Sequence, residues 1–411
     1  MLTIQSFLSP ALQRRAALYV TEQITLSPCF ILRTVSASGH FHALLVGLDV
    51  HAIHSAIHPN RPDHMTQKPK LINLALQGGG AHGAFTWGVL DRILEDGRLQ
   101  IAGISGTSAG AMNAVALADG FTRDGPEGGR AALEHFWRRM GEGAKNSPLK
   151  RTPYDVLTGR WGLQNNLMYH AMDALSRVAS PYQLNPMNIN PLRDLVEKSI
   201  DFDRVRQCTA FKLYISATNV ESGNVKVFPR EEITLDMLMA SACLPHIYQA
   251  VEIDGVPYWD GGYMGNPSLF PFHGETGTDD IVVIQINPIE RKGAPKSSQD
   301  IQNRMNEISF NSSLLKELRG IDFVDRLIRQ GKLSADEYHQ VRVHVVENQA
   351  ELIPLGASSK MNAEWKFLTK LRDLGRDTAT RWLEENFSAI GERSSVDLRQ
   401  IFQGIGAQHQ G

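Results

Sequence analysis

The sequence predicts an α/β protein in which helices cover a mainly parallel sheet. From residue 71 onward, short apolar runs alternate with amphipathic segments, which is the pattern of buried parallel strands and the helices between them. Glycine-rich turns join two of these runs to the helix patterns that follow. The composition agrees, because 42% apolar and 21% charged residues among 411 are typical of a globular protein with a large core.

Two strand-turn-helix units open this region. Residues 71–76 predict a strand that ends at three consecutive glycines, and residues 84–95 then keep the apolar spacing of a helix. Residues 101–104 predict a second strand. A glycine turn at 106–110 joins it to a small-residue helix at 111–118 that can pack closely on the sheet.

The later elements are two strands and one long helix, at residues 212–218, 281–286 and 364–387. Between them, Asp254 and Gly255 separate the apolar-rich runs 251–253 and 256–258. This dipeptide is typical of a two-residue hairpin turn. We therefore expect an antiparallel hairpin at this point of the chain.

The chain divides into three parts by pattern. Residues 1–65 keep neither the helix nor the strand period and predict a poorly patterned N-terminal extension. Residues 66–390 carry the α/β domain, and residues 391–411 predict a polar tail. Because the regular pattern begins directly after Met65, we consider Met65 as an alternative start. The intact mass of the native protein tests this.

Charge and cysteine content exclude several function classes. Lys and Arg number 42 against 44 Asp and Glu, so the net charge of −2 gives no broad attraction to nucleic acid or anionic lipid. Cys29, Cys208 and Cys243 are too few and too far apart for a disulfide framework or a zinc site. The histidines of the extension do not have the spacing of a metal site. We expect neither a metal nor an organic cofactor.

The sequence shows no segment that would insert into a membrane. No apolar run reaches the roughly 20 residues needed to cross a bilayer. The N-terminal apolar residues precede Arg14 and Arg15, which is the reverse of the order in a cleavable leader. We expect a cytoplasmic protein and leave peripheral membrane contact and oligomeric state open.

A nucleophile motif follows the second strand. Residues 106–110 fit G-x-S-x-G, in which the glycines relieve the clashes of a sharp strand-to-helix turn. The motif alone is weak in a chain with 35 glycines, and its place between a strand and a helix supports it. Ser108 is the candidate nucleophile, at a helix N-terminus where free N–H groups favour negative charge.

The glycines after the first strand predict an oxyanion hole. Gly78, Gly79 and Gly80 leave backbone N–H groups free to converge on an oxygen anion. A phosphate-binding loop is one alternative, but the run lacks the G-K-[ST] ending and the acidic residue of the dinucleotide fingerprint. A helix start that needs glycine only for packing is the other.

One carboxylate is placed to serve as a base. Asp260 lies between aromatic residues and two glycines, a setting that can desolvate it and fix its orientation. Asp254 is the competing carboxylate. Its position in the expected hairpin turn disfavours it.

The motifs G-G-G-x-x-G, G-x-S-x-G and D-G-G, in this order, resemble the bacterial patatin-like phospholipases. The resemblance runs over about residues 71–267, with weaker likeness to residue 387. It implies a three-layer α/β/α fold and a lipid acyl hydrolase with a Ser-Asp dyad. Ser108 would then be the nucleophile, Asp260 the base, and the three glycines the oxyanion segment.

His82 departs from the family pattern. Many members carry Arg or Lys where this chain has His82, so a fixed positive charge becomes one that depends on pH. An auxiliary role as a hydrogen-bond donor and a packing role both stay open.

Two other functions stay open beside the dyad. A Ser-Asp-His triad requires a histidine after the aspartate, and His273, His339 and His344 meet this order. His246 precedes Asp260 and is a weaker candidate. The second alternative is a non-catalytic lipid-binding protein of the same fold. With the dyad, the substrate is a lipid or lysolipid whose headgroup, chain length and sn-position no motif specifies.

Overall fold

The structure is a computed structural model that describes residues 31–35, 41–45, 68–334 and 337–403. The chain forms two compact units, Met1–Thr66 and Gln67–Gly411. In the smaller unit, strand β1 (Ile31–Val35) pairs antiparallel with strand β2 (Phe41–Leu45), where the sequence shows no strand period. The Met65 hypothesis and the side chains of the N-terminal histidines lie outside the described residues.

The larger unit is built on an eight-stranded sheet. Its strands are β3 (Lys70–Leu76), β4 (Leu99–Thr107), β5 (Lys212–Asn219), β6 (Val225–Pro229), β7 (Val251–Ile253), β8 (Val256–Asp260), β9 (Asp280–Ile284) and β10 (Arg342–Val346). The order is β10-β9-β3-β4-β5-β8-β7, and β6 also pairs with β5. The five strands from β10 to β5 run parallel, whereas β6, β7 and β8 join antiparallel.

Helices of very different length accompany the sheet. They are α1 (Gly83–Asp96), α2 (Ala109–Gly143), α3 (Pro153–Leu157), α4 (Leu167–Ser176), α5 (Pro181–Leu184), α6 (Pro191–Ser199), α7 (Phe202–Gln207), α8 (Leu235–Ser241), α9 (Ser298–Arg329), α10 (Gln349–Leu352), α11 (Trp365–Asn386) and α12 (Leu398–Gln403). Among the helices in the described part of the chain, none combines the length and the apolar character needed to cross a bilayer.

Side chains along the strands alternate between the two faces of the sheet, and both faces are covered, which gives three layers. Leu74 and Leu76 of β3 face one hydrophobic cluster, which includes buried side chains of α1, α2 and α11. Ala75 between them faces a second cluster, to which Leu314 and Leu318 of α9 belong. Because successive strand residues point to opposite faces, buried strands must be covered on both sides. The predicted α/β/α class with a mainly parallel sheet is confirmed.

The predicted elements differ from the structure mainly in length. The strands at 71–76 and 212–218 and the helix at 364–387 are confirmed to within one residue at each end. The helix predicted at 111–118 is the beginning of α2, which is 35 residues long and interrupted at Asp124 and Gly125. Its many glycines obscure the apolar period, so the sequence gives no clear signal for its continuation.

The hairpin and the C-terminal region add two details. Asp254 and Gly255, with φ of 53° and 77°, form the predicted turn between β7 and β8. Beyond residue 390, where a polar tail was expected, α12 places Leu398 and Ile401 against the cluster beside α9.

The parallel register brings two functional turns together. Leu76 at the end of β3 pairs with Gly106 near the end of β4, so the turns after both strands meet at the carboxyl edge of the sheet. Buried Gln77 fixes this edge, because its Oε1 accepts the N–H groups of Ile286 and Asn287 at 2.9 Å each. Its Nε2 donates to Asn311 Oδ1 at 3.2 Å.

Helices α1 and α11 touch at two glycines, which makes the contact sensitive to one methyl group. A Cβ on Gly88 would overlap the Arg372 carbonyl, and one on Gly375 would overlap the Phe85 carbonyl. We predict that Gly88→Ala or Gly375→Ala lowers the free energy of unfolding by about 1–3 kcal/mol through overpacking. Chemical denaturation measures the change.

Gly320 of α9 provides the matched control, because an added Cβ meets nothing within 4 Å. Gly320→Ala should stabilise the protein by about 0.4–1 kcal/mol, since alanine loses less backbone freedom on folding. Equal effects at all three positions would contradict the close helix contact.

Candidate active site

Ser108 occupies a strained turn between β4 and α2. Its φ of 53° and ψ of −119° are rare for a residue with a side chain, as expected of a nucleophile elbow. A Cβ on Gly106 would lie 2.7 Å from the Gly110 carbonyl oxygen, and one on Gly110 would overlap the Leu76 carbonyl. The two flanking glycines are therefore required by close backbone approach. The Ser108 N–H donates to Ser241 Oγ at 2.9 Å.

The glycine segment after β3 lies directly against this serine. A Cβ on Gly78 would approach Ser108 Cβ to 2.7 Å, closer than two side chains allow. Gly80 has φ of 58°, and a Cβ there would overlap the carbonyl of Lys360. The segment is thus confined between the serine on one side and the stretch that contains Lys360 on the other.

Two asparagines hold the Gly78 peptide. The Gly78 N–H donates to Asn266 Oδ1 at 2.7 Å, and Asn287 Nδ2 donates to the Gly78 carbonyl at 2.7 Å. In a trans peptide the next N–H points away from that carbonyl, so the same contacts fix the direction of the Gly79 N–H. No described residue accepts a hydrogen bond from the N–H of Gly79 or Gly80. Of the three predicted oxyanion donors, Gly78 already has a protein partner.

Asp260 is the last residue of β8 and is 1% exposed. Its backbone is fixed on both sides, because its N–H donates to the Cys243 carbonyl at 2.7 Å and its carbonyl accepts from Thr218 Oγ1 at 2.8 Å. Side-chain Oδ1 accepts the Gly262 N–H at 2.7 Å. Oδ2 has no hydrogen-bond partner of good geometry among the described residues.

Burial raises the pKa of Asp260 to about 7. Three features act against burial and lower the pKa: the Gly262 N–H, hydrogen bonding by the Ser108 side chain, and the charge of Lys360. The Ser108 contact falls short of full hydrogen-bond geometry, which is common before substrate tightens a site. The structure thus brings the predicted serine and the predicted carboxylate together.

Lys360 is a site residue that the sequence analysis missed. Its Nζ donates to Asn287 Oδ1 at 2.7 Å, so it supports the amide that holds Gly78. Burial lowers the pKa of Lys360 to about 8, with Arg291 acting in the same direction and Glu307 and Asp260 opposing it. A positive charge therefore lies beside the glycine segment below about pH 8. No motif marks Lys360, which follows Asp260 by about a hundred residues.

His82 is buried and hydrogen-bonded away from the serine. Its Nε2 lies 2.7 Å from Ser359 Oγ, and the Ser359 hydroxyl donates to the Gly356 carbonyl at 2.8 Å. Nε2 must therefore carry the proton and donate to Ser359. Burial, aided by the charges of Lys360 and Arg291, lowers the pKa of His82 to about 3. His82 is neutral near pH 7, and Lys360 provides the positive charge there.

The histidines proposed for a triad lie elsewhere. His344 Nε2 bonds Asp280 Oδ1 at 3.0 Å, and His339 Nδ1 lies 3.3 Å from Asp279. Burial lowers the pKa of His273, and the charge of the same Asp279 acts against this effect. These three gather near the amino end of β9, whereas Ser108 follows the carboxyl end of β4. His246 is exposed on the loop after α8.

Metal ligands and cavities do not alter this assignment. No group of three or more His, Cys, Asp or Glu side chains suited to a metal occurs in the described part of the chain. A cavity of about 590 Å³ includes Leu71, Gln100 and Lys212, at the amino ends of their strands, and no residue of the Ser108 site lines it. Ligands of parallel sheets bind at the carboxyl ends, where Ser108 lies.

The family model described as patatin-like phospholipase matches residues 74–273. This range contains the glycine segment, the Ser108 turn and Asp260 in the order of the motifs. The chain carries a patatin-like phospholipase domain. It is thereby placed among the lipid acyl hydrolases. No curated protein sequence matches the chain significantly.

Solved structures show a distant likeness. VipD from Legionella pneumophila is 14% identical, with 88% of this chain and 73% of VipD covered at a TM-score of 0.30. ExoU of Pseudomonas aeruginosa, solved with SpcU, is 15% identical, with 77% and 54% covered and a TM-score of 0.30. Human GIVD cytosolic phospholipase A2 is 12% identical, with 90% and 70% covered and a TM-score of 0.34. The family assignment rests on the sequence match, not on these weak superpositions.

The pKa of Asp260 predicts the pH dependence of a reaction that uses this carboxylate as a base. A base must be deprotonated, so kcat/KM should rise with pH and reach half of its plateau near pH 7. Lys360→Met removes a charge that favours the ionised form, so the midpoint should move to higher pH. Initial rates with a soluble short-chain chromogenic ester measure both profiles.

Two controls accompany this profile. Lys366→Met removes an exposed lysine of α11 and should leave the midpoint in place. His82→Asn should also retain it, because the pKa of His82 is far below 7. If the midpoint disappears in His82→Asn, or does not move in Lys360→Met, a group other than Asp260 is responsible for the titration.

Proposed function

We propose that this chain hydrolyses fatty-acyl esters of phospholipids or related lipids through a Ser108–Asp260 dyad and an acyl-enzyme intermediate. One observation carries the proposal. A serine in a strained strand-to-helix turn, a buried carboxylate with a pKa near 7, and two backbone N–H groups that have no partner among the described residues converge at one edge of the sheet. Acyl transfer requires a nucleophile, a base and an anion-stabilising group of this kind.

Asp260 accepts the Ser108 proton as Oγ attacks the ester carbonyl carbon and the carbonyl electrons move to oxygen. Collapse of this tetrahedral species expels the alcohol part of the lipid, which takes the proton from Asp260. Water then attacks the acyl-serine carbonyl and gives its proton to Asp260. The second collapse releases the fatty acid, and the proton returns to Ser108. A base with a pKa near 7 suits both steps, because it can accept and return a proton at neutral pH.

We propose the N–H groups of Gly79 and Gly80 as the oxyanion donors, assisted by the N-terminus of α2. The Gly78 N–H donates to Asn266 Oδ1 instead, and this hydrogen bond positions the glycine segment. Loss of one such donor typically lowers turnover by about 10²–10³. Lys360 adds positive potential beside the same segment.

The contacts of the candidate histidines argue against a triad. Three of them are engaged near Asp279 and Asp280, away from the serine, and His246 is exposed. In a triad the histidine lies between serine and aspartate. Asp260 instead acts on Ser108 directly, which favours the dyad.

Substitution of the dyad tests the proposal. Ser108→Ala should abolish hydrolysis of a chromogenic fatty-acid ester, and Asp260→Asn should lower kcat by about 10²–10⁴, the usual contribution of a general base. Circular dichroism and thermal unfolding verify that each variant is folded.

Two matched controls use similar residues outside the site. Asp254→Asn changes an exposed aspartate in the turn that leads into the same strand, and Ser222→Ala removes an exposed serine hydroxyl. Both should retain the parent kcat. Near-parental activity in folded Ser108→Ala or Asp260→Asn refutes the dyad, and loss of activity on alanine substitution of His246 or His273 would favour a triad.

A further inference from the structure

A stretch between α2 and α6 exposes an unusual amount of apolar surface. Twelve of the nineteen large hydrophobic side chains that are exposed in the described part of the chain fall within residues 154–189. Leu157, Leu167, Val178 and Met187 are each at least 80% exposed. Contiguous exposed apolar surface on a protein commonly marks an interaction site. We call residues 154–189 the apolar segment.

Helix α4 within this segment has an inverted pattern. Met168, Met172 and Leu175 follow i, i+4, i+7 spacing and are exposed. The partly buried positions of the same helix are Tyr169, Asp173 and Ser176, of which the last two are fully polar side chains. A surface helix of a globular protein normally turns its apolar face inward and its polar face to water. The outer face of α4 is therefore suited to an apolar environment outside the protein.

The apolar segment is attached to both borders of the active site. On one side, the Leu163 N–H donates to Ser358 Oγ at 3.0 Å. Ser358 belongs to the same stretch as Lys360 and as Ser359, which is hydrogen-bonded to His82. On the other, the Ala250 N–H donates to Tyr182 Oη at 3.2 Å and Gln249 Nε2 donates to the Asn185 carbonyl at 2.8 Å.

The second border leads directly to the base. Cys243 Sγ donates to the Gln249 carbonyl at 3.1 Å, and the Cys243 carbonyl accepts the Asp260 N–H at 2.7 Å. The apolar segment is thus joined to the backbone around Asp260 as well as to the stretch beside the glycine segment. A molecule that binds to the apolar segment is therefore held close to Ser108.

The charge of this region differs from that of the whole protein. Residues 144–190 contain five Lys or Arg against two Asp or Glu, whereas the complete chain has a net charge of −2. Asp155, one of the two acids, is buried in the capping box of α3. Arg151 is paired with Glu364 and Arg177 with Asp173, so the excess positive charge lies on the exposed Lys145, Lys150 and Arg160. Basic residues flanking an apolar helix face complement a membrane surface that contains anionic lipid.

We propose that the outer face of α4 and the rest of the apolar segment dock on a lipid surface with anionic headgroups. The choice of occupant rests on the proposed function, because a hydrolase of membrane lipids must reach substrate molecules in an aggregate. Docking inserts the exposed apolar side chains between the headgroups. It also brings Ser108, which is partly exposed, near the interface, so that a lipid reaches the site without crossing bulk water.

Vesicle binding by a charge-conserving variant tests this surface. The variant Met168→Gln, Met172→Gln, Leu175→Gln keeps helix-forming side chains while removing three apolar ones. All binding measurements use the Ser108→Ala background, so that hydrolysis does not alter the vesicles. In co-sedimentation with phosphatidylcholine vesicles that contain phosphatidylserine, we expect roughly tenfold or greater loss of partitioning.

Helix α9 offers a matched control. Ile301, Met305 and Ile308 are exposed with the same i, i+4, i+7 spacing, and their replacement by Gln should leave partitioning unchanged. Added salt and omission of phosphatidylserine should both weaken binding of the parent chain, because surface charges are screened. Activity of the α4 variant, with Ser108 intact, on a soluble short-chain ester should match the parent.

Two outcomes overturn the proposal. Parental vesicle binding by the α4 variant excludes this face as the lipid surface. A parent chain that is oligomeric by light scattering and becomes monomeric in the α4 variant, with vesicle binding unaltered, assigns the face to a second copy of the chain. Failure of the proposed function is a separate result, because it appears as absent hydrolysis of the soluble ester in a chain that still binds vesicles.

Discussion

The site depends on the close approach of two turns that follow neighbouring parallel strands. Pairing of β3 with β4 brings Gly78 against Ser108, so that a Cβ on the glycine would lie 2.7 Å from the serine Cβ. Only glycine fits, and its peptide is held from both sides by Asn266 and Asn287. The serine therefore adjoins a stretch of backbone whose N–H direction is already fixed before substrate binds. Such preorganisation makes backbone donors effective for a developing anion.

The pKa of Asp260 is set by burial, which raises it, and by neighbouring groups, which lower it in part. Asp260 is almost completely buried, which raises its pKa, while the Gly262 N–H, Ser108 and Lys360 lower it without cancelling the effect. The resulting pKa of about 7 leaves Asp260 able to accept and return a proton near neutral pH. Perturbed carboxylates of this kind are concentrated at functional sites. Lys360 contributes to the site twice, through its charge and through its hydrogen bond to Asn287.

Local signals were enough to predict the main parts of this arrangement. The glycine turns after β3 and β4 and the Asp254-Gly255 hairpin are specified by consecutive residues, because each requires either a positive φ or a close backbone approach that favours glycine. The α/β class followed from apolar runs that alternate with helical periods.

The residues that support the site were not predictable from such local signals. Asn287 and Lys360 reach the glycine segment across more than two hundred residues, and their contacts exist only after the sheet has formed. His82 could be identified as an unusual residue, but its neutral state follows from burial that the sequence does not specify.

The central claim, that Ser108 is a nucleophile activated by Asp260, is tested most directly by covalent trapping. A fluorophosphonate ester, whose phosphonyl adduct resembles the tetrahedral intermediate, is incubated with the folded chain, and the product is measured by intact mass and peptide mapping. The account predicts one adduct per chain, located on Ser108, whose rate of formation increases with pH through about 7 and falls strongly in Asp260→Asn. An adduct on a different residue, or formation on Ser108 at the same rate without Asp260, would contradict it.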